Sequence, residues 1–241
     1  MDTVFSGLER LHFAITWSGG VKIGDMYLEV RAEEQGGYSI EARITDYGLF
    51  ALFYPVDDTF TTLVQGPLKL PLRYQVHQKE GWGSETRRLS RYDQQGRLVS
   101  YRKNEEPEQS FQLAGKVYNE FAAFFISRVL DYHQNPTLVP AFVDKQRHQV
   151  QVRMLSREPR KSIFGEVETL KIQPSLKFKG LYDKDGDTTY WLSADRCRIP
   201  VEIDSKIVVG RLTALLVDYE NPACDLPAYQ QGSEPVEGSE R

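Results

Sequence analysis

Asp183, Asp185 and Asp187 stand in the run D-K-D-G-D, the alternate-residue spacing with which a calcium loop begins. The twelfth position of such a loop needs a bidentate Glu, and here it is Ala194 with Asp195 beside it. The run therefore reads as a hairpin tip before it reads as a weak cation site. Asp57 and Asp58 are adjacent carboxylates, which on one face would share a proton. Neighbours on a strand point to opposite faces, so this pair cannot converge on one reacting atom. One of the two is expected to hold backbone donors instead. His77 falls with Arg73, Gln75 and Lys79 on the polar side of a strand, opposite Tyr74 and Val76. It reads as a solvated histidine with no nucleophile to serve. Cys197 lies between Arg196 and Arg198, cations that would lower a thiol pKa, yet it has no His–Asn context. Ordinary burial or a loop position is the plainer reading. Neither Cys197 nor Cys224 has a metal-ligand spacing, and the sequence leaves open whether they pair.

Two groups point to binding rather than catalysis. Arg87, Arg88, Arg91, Arg97, Arg102 and Lys103 crowd two neighbouring strands. They read as a charged outer face that keeps a sheet soluble, or as an attraction for an anionic headgroup or acidic partner. Aromatic residues make up 12% of the chain and fall on inward positions such as Phe13, Trp17, Tyr38, Phe60 and Tyr74. Phe13, Trp17, Phe121, Phe124, Phe125 and Val129 are the expected lining of an apolar cleft; the alternative use of such rings is a large packed core. Phe124 falls between Glu120, Arg128 and Asp131 on the polar side of its helix, where it is either covered by a loop or lines an opening. No nucleophile, base and oxyanion donor converge, so the expectation is a non-catalytic protein with no cofactor and no metal.

The elements that must position these residues have a dominant period of two. Leu11, Phe13, Ile15 and Trp17 alternate with polar residues, as do Met26, Leu28 and Val30, and again Tyr38, Ile40, Ala42 and Ile44. Such alternation marks antiparallel strands with one face buried and the other wet. Gly-rich turns separate these three, giving a meander. Further strands are predicted at 57–64, 73–79, 84–92, 97–103, 149–156, 166–173, 188–193, 201–206 and 211–219, about a dozen in all. One segment breaks the pattern: residues 116–132 carry apolar side chains at helical spacing over a broad face, with Asn135-Pro136 as the stop. The fold class predicted is all-β with one central helix, a curved antiparallel sheet or incomplete β-barrel wrapped around that helix. Residues 1–220 read as a single β-rich domain and 221–241, rich in Pro, Gly, Ser and Glu, as a disordered polar tail.

Composition sets the outer limits. The 241 residues are long enough to bury a large core without staples, so no disulfide framework is required. A net charge of −4 speaks against general nucleic-acid binding. No apolar run approaches the ~20 residues of a membrane span. The opening MDTVFSGLER has neither a basic n-region nor an apolar h-region, so no export signal is expected within this chain.

Several phrases in fixed order carry a resemblance. They are LHFAITWSGGVKIGDMYLEV, FYPVDD, LKLPLRYQVHQKEG, FGEVETLKIQP and GDTTYWLSADRCRIPVEIDSKIVVGRLTALLVDYE. With them the chain resembles the bacterial family catalogued as domain of unknown function 3108, up to about Tyr219. That family has no established catalytic motif. The resemblance implies an exported protein of the periplasm or cell envelope. More remotely the chain is similar in architecture to the lipoprotein carriers LolA and LolB, in which an open curved sheet wraps a helix around an apolar cavity. The expected function is binding or carrying a lipid or lipoprotein acyl chain between sheet and helix. The alternative is a non-catalytic scaffold that engages another envelope protein.

Overall fold

Alternation of apolar and polar residues dictates strands, and the described residues of the computed structural model form fourteen of them. It describes residues 3–18, 20–48, 54–133, 136–175, 188–207 and 210–224. The strands are β1 (Leu8–Trp17), β2 (Val21–Ala32), β3 (Tyr38–Asp46), β4 (Asp57–Gln65), β5 (Leu70–Glu80), β6 (Ser84–Asp93) and β7 (Leu98–Lys103). Then come β8 (Gln109–Gln112), β9 (Thr137–Val143), β10 (Gln146–Ser162), β11 (Gly165–Ser175), β12 (Thr188–Ser193), β13 (Pro200–Lys206) and β14 (Arg211–Glu220). All pair into one antiparallel sheet, in the order β8-β7-β6-β5-β4-β3-β2-β1-β14-β13-β12-β11-β10-β9. Two meanders, β1–β8 and β9–β14, are thus zipped together along β1 and β14.

The sheet does not close, yet its two edges face each other. Phe142 of β9 packs its ring against Tyr92 of β6 at 6.4 Å and Phe111 of β8 at 5.5 Å. The chain passes from one edge to the other through the interior, and that passage supplies the helix, α1 (Glu120–Arg128). Just before it, Tyr118 donates its N–H to Pro140 and accepts from the Phe142 N–H, so the free edge of β9 is covered.

The helix is shorter than its periodicity suggests. Residues 116–132 have helical spacing, but Tyr118 spends its backbone groups on β9 and Asn119 is the N-cap. The Asn119 Oδ1 accepts from the Ala122 N–H at 3.0 Å, while its Nδ2 donates to the Thr62 hydroxyl at 2.6 Å. At the other end Val129 is the C-cap, so the helix stops well before Pro136.

The polar tail begins later than its composition suggests. Asn221 is buried, Pro222–Cys224 form a 3-10 turn, and Cys224 is bonded to Cys197 across a Cα separation of 5.8 Å. Asp183, Asp185, Asp187 and the rest of the tail lie outside the described residues. The disulfide closes a 27-residue loop, for which loss of chain entropy in the unfolded state predicts about 3 kcal/mol of stabilisation. Cys224→Ala should lower unfolding stability by that amount. Reductant should lower the urea midpoint of the wild type to the same extent and leave the variant where it is; a wild type indifferent to reductant would contradict this.

Candidate functional site

The inward face of the sheet is sealed at one end and half-open at the other. Along β1, Leu11 and Phe13 are buried whereas Ile15 is only partly so; along β3, Ile40 and Ala42 precede a half-buried Ile44. The same gradient runs from Val30 and Leu28 to Met26, from Val64 to Phe60, and from Val201 to Ile203. Strand register puts the half-buried members beside one another, since Ile203 and Ile15 both face Ala214 and Met26 faces Ile44. They form one apolar wall near the ends of β1, β3 and β13 and the beginnings of β2 and β4.

The helix floors this space. Phe121 meets Phe60 at 5.1 Å and Tyr74 at 6.5 Å, and Phe124 meets Tyr190 edge-on at 5.4 Å. Both keep partial exposure, while Ala122, Phe125 and Ile126 are sealed. The sealed end is packed by Val4 and Phe5, and by Phe164 at the tip of the long β10–β11 hairpin, whose ring stands 5.9 Å from Tyr219. What fixes the helix there is an ion pair with no exposed side-chain surface. Arg128 grips Glu9 through two hydrogen bonds of 2.5 and 2.8 Å and donates further to the carbonyls of Arg198 and Cys197. Glu9 also accepts from the Tyr219 hydroxyl and the Asn221 amide. Every group is satisfied, the condition under which such a pair is tolerated.

Beside the apolar wall the inward face turns polar, Asp58 standing opposite Ile44 in the register. Asp58 is buried and accepts the Lys79 N–H at 3.0 Å and the Gln78 amide at 2.9 Å; Gln78 in turn accepts from Arg88 at 2.7 Å. Beside them lies a cavity of about 140 Å³ lined by Tyr74, Arg88, Tyr101, Glu120, Phe142 and Lys145 among others. Glu120, the first residue of the helix, is exposed and lines this concavity. Loss of surrounding water pushes its carboxyl up to about 7, with its own backbone hydrogen bond, Arg88 and Tyr74 pulling the other way. From the ordinary 4.5 up to about 7 the folded chain therefore holds a proton that the unfolded chain has released. Stability should fall as pH rises through that window, and Glu120→Gln should remove this part of the slope. Urea midpoints taken across the window check it; identical slopes for the two proteins would refute it.

A larger concavity of about 480 Å³ lies on the outer face over β14, β1, β2 and β3. Its arginines are paired, Arg10 with Glu29 and Glu220, Arg31 with Glu29, and Arg43 with Asp57. It is a solvated wall of exposed ion pairs.

Comparison with known proteins agrees with this architecture. Residues 12–217 match the family model described as Protein of unknown function (DUF3108). The chain belongs to this family. A crystal structure of a β-barrel-like protein of domain of unknown function DUF1849 from Brucella abortus is similar with a TM-score of 0.63 at 11% identity. That match covers 89% of this chain and 98% of the other, and at such identity the likeness is one of fold. No curated protein matches.

The six side chains expected to line a cleft divide into two groups within this family fold. Phe121 and Phe124 keep partial exposure beside Phe60, Tyr74 and Tyr190, and Trp17 is half-buried at the end of β1. Phe13 and Phe125 have no exposed surface and belong to the packed core, and Val129 sits at the far end of the helix as its cap. Phe124, placed by helical geometry among charges, is covered on one side by Tyr190 and Phe125. Arg88 departs from the outer basic cluster: it shares parity with buried Ser90 and Tyr92 and faces inward, while Arg87 and Arg91 stay outside. Asp57 and Asp58 do diverge, Asp57 outward to Arg43 and Asp58 inward to backbone and amide donors. His77 pairs with Glu85 at 2.8 Å on the outer face. Among the described residues no three His, Cys, Asp or Glu side chains gather as a metal would need, and no helix is long and apolar enough to cross a membrane.

Proposed function

We propose that the protein binds one apolar chain, the acyl group of a lipid or lipoprotein, in the half-open space between helix and sheet, and that it works in an oxidising envelope compartment. The observation that carries the reading is the gradient of burial along the inward rows. Side chains as apolar as Ile15, Met26, Ile44, Phe60 and Ile203 stay partly uncovered although the same strands bury their neighbours completely. A scaffold whose core had no further task would have its inward rows covered at both ends. The disulfide supports the compartment, since such bonds persist outside the reducing cytosol.

Each buried methylene contributes about 0.8 kcal/mol, so ten of them supply on the order of 8 kcal/mol before the cost of association. A fluorescent fatty-acid probe should bind saturably and be displaced by unlabelled dodecanol. Lack of binding up to about millimolar probe, where affinity is worth only ~4 kcal/mol, would reject the reading. The scaffold alternative would then stand, with a protein partner on the outer face around Arg87 and Arg102.

A further inference from the structure

Arg88 of β6 and Lys103 of β7 are directly opposed in the strand register. Both have the parity of buried neighbours, Tyr92 for Arg88 and Val99 for Lys103, so both point inward. Like charges directly opposite each other are destabilising in a sheet. Among the described residues neither has a carboxylate within ion-pair distance, and neither does Lys145. Arg88 donates once, to Gln78, and its buried Nε has no partner. Lys145 reaches across from the β9–β10 turn to within 5.1 Å of the Tyr101 ring on β7. Arg88 and Lys145 thus line the cavity at the seam between the two sheet edges, with Lys103 opposed to Arg88 in the register. The negative charge within the lining is that of Glu120 and Asp144, neither of them within ion-pair distance of the three cations.

That seat lies two strands from Phe60, with Val76 between them. Arg88 faces Val76 and Val76 faces Phe60 in the register, so two strand spacings, about 10 Å, separate the guanidinium's strand from the ring that meets Phe121. The cavity of about 140 Å³ has room for a head but not for a tail. We propose that Arg88, Lys103 and Lys145 seat the anionic head, a carboxylate or phosphate, of an amphiphile whose chain lies against Phe60 and Phe121; this rests on the acyl-binding reading above. Glu120 faces the same cavity. The other titratable groups around it are Tyr74 from β5, Tyr92 and Arg88 from β6, Tyr101 from β7, and Asp144 and Lys145 from the turn, with Lys103 of β7 opposite Arg88. Ionised Glu120 would repel an arriving anion, so binding should weaken as pH rises through the range in which it loses its proton.

The test compares sodium dodecanoate, dodecanol and inorganic phosphate as probes by calorimetry on the full chain. Dodecanoate should bind about tenfold tighter than dodecanol. Arg88→Gln should erase that difference while leaving dodecanol unchanged. Lys103→Gln should weaken dodecanoate and yet raise the thermal midpoint of the unliganded protein, an outcome that a purely structural lysine would not give. Between about pH 6 and pH 8 the wild type should lose dodecanoate affinity and Glu120→Gln should not. Equal affinity for dodecanoate and dodecanol, or an equal loss of both in Arg88→Gln, overturns the anion seat and leaves the acyl cleft standing. Failure of both alkyl probes overturns the cleft itself. Arg88-dependent binding of phosphate with no binding of either alkyl probe assigns the seat to a free anion and overturns the amphiphile.

Discussion

Arg128→Met is expected to remove about 3–5 kcal/mol of folding stability, a large part of the ~5–15 kcal/mol that holds a domain together. The loss comes less from the missing attraction than from what is left behind. Glu9 would remain a carboxylate without solvent contact, held only by the Tyr219 hydroxyl and the Asn221 amide at 3.2 and 3.4 Å. Glu9→Leu should be comparably harmful, because it strands a guanidinium against the carbonyls of Arg198 and Cys197. The double variant should recover much of the loss, since two apolar side chains of similar volume need no partner. Urea melts of the four proteins give the cycle directly. Two single variants each within about 1 kcal/mol of wild type would mean that the pair is solvated and the helix is held by packing alone. The structural stake is the helix position: Arg128 is the point at which α1 is tied to the start of β1 and to the loop carrying Cys197.

How much of this was legible in the sequence depends on what each signal measures. Period-two alternation located the strands that have one wet face, and those make up most of the sheet. It missed β8, whose four residues Gln-Ser-Phe-Gln carry one apolar side chain, and β9, whose Leu138–Val143 stretch is apolar on both faces and interrupted by Pro140. Both are edge strands at the seam, and β9 is covered by the segment at Tyr118. Helical periodicity carried the helix back over Tyr118 but could not know that the Tyr118 backbone pairs with β9. Arg88 was legible and was obscured by its neighbours: charge grouped it with Arg87, whereas the alternation that separates Asp57 from Asp58 would have separated these two as well. Glu9 was similarly within reach, because extending Leu11 and Phe13 back by two residues puts a carboxylate on the inward row. Its partner was not, since Arg128 lies 119 residues away and no local pattern links them. The ordered Asn221 and Cys224 were hidden by a composition that describes the tail on average.

The contrast between Phe125 and Phe121 separates core from cleft. Phe125 has no exposed surface and is enclosed by Phe124 at 5.4 Å, Phe5 at 6.4 Å and the Arg128 guanidinium at 5.3 Å from its ring. Its removal in Phe125→Ala opens a cavity with little room to collapse, and a loss of about 3–5 kcal/mol follows. Phe121 packs on Phe60 and Tyr74 but remains partly exposed, so Phe121→Ala should cost clearly less, about 1–2 kcal/mol. The order reverses for ligand. On the proposed acyl-binding reading the chain lies against partly exposed Phe121 and not against sealed Phe125, so Phe121→Ala should weaken fatty-acid binding severalfold. Phe125→Ala, assayed at a temperature where it is still folded, should bind nearly as the wild type does. Denaturant melts and probe titrations on the same two variants decide the matter. If Phe121→Ala costs as much stability as Phe125→Ala and leaves probe binding untouched, the ring is core, the space beside it is closed, and an acyl chain has no floor to lie on.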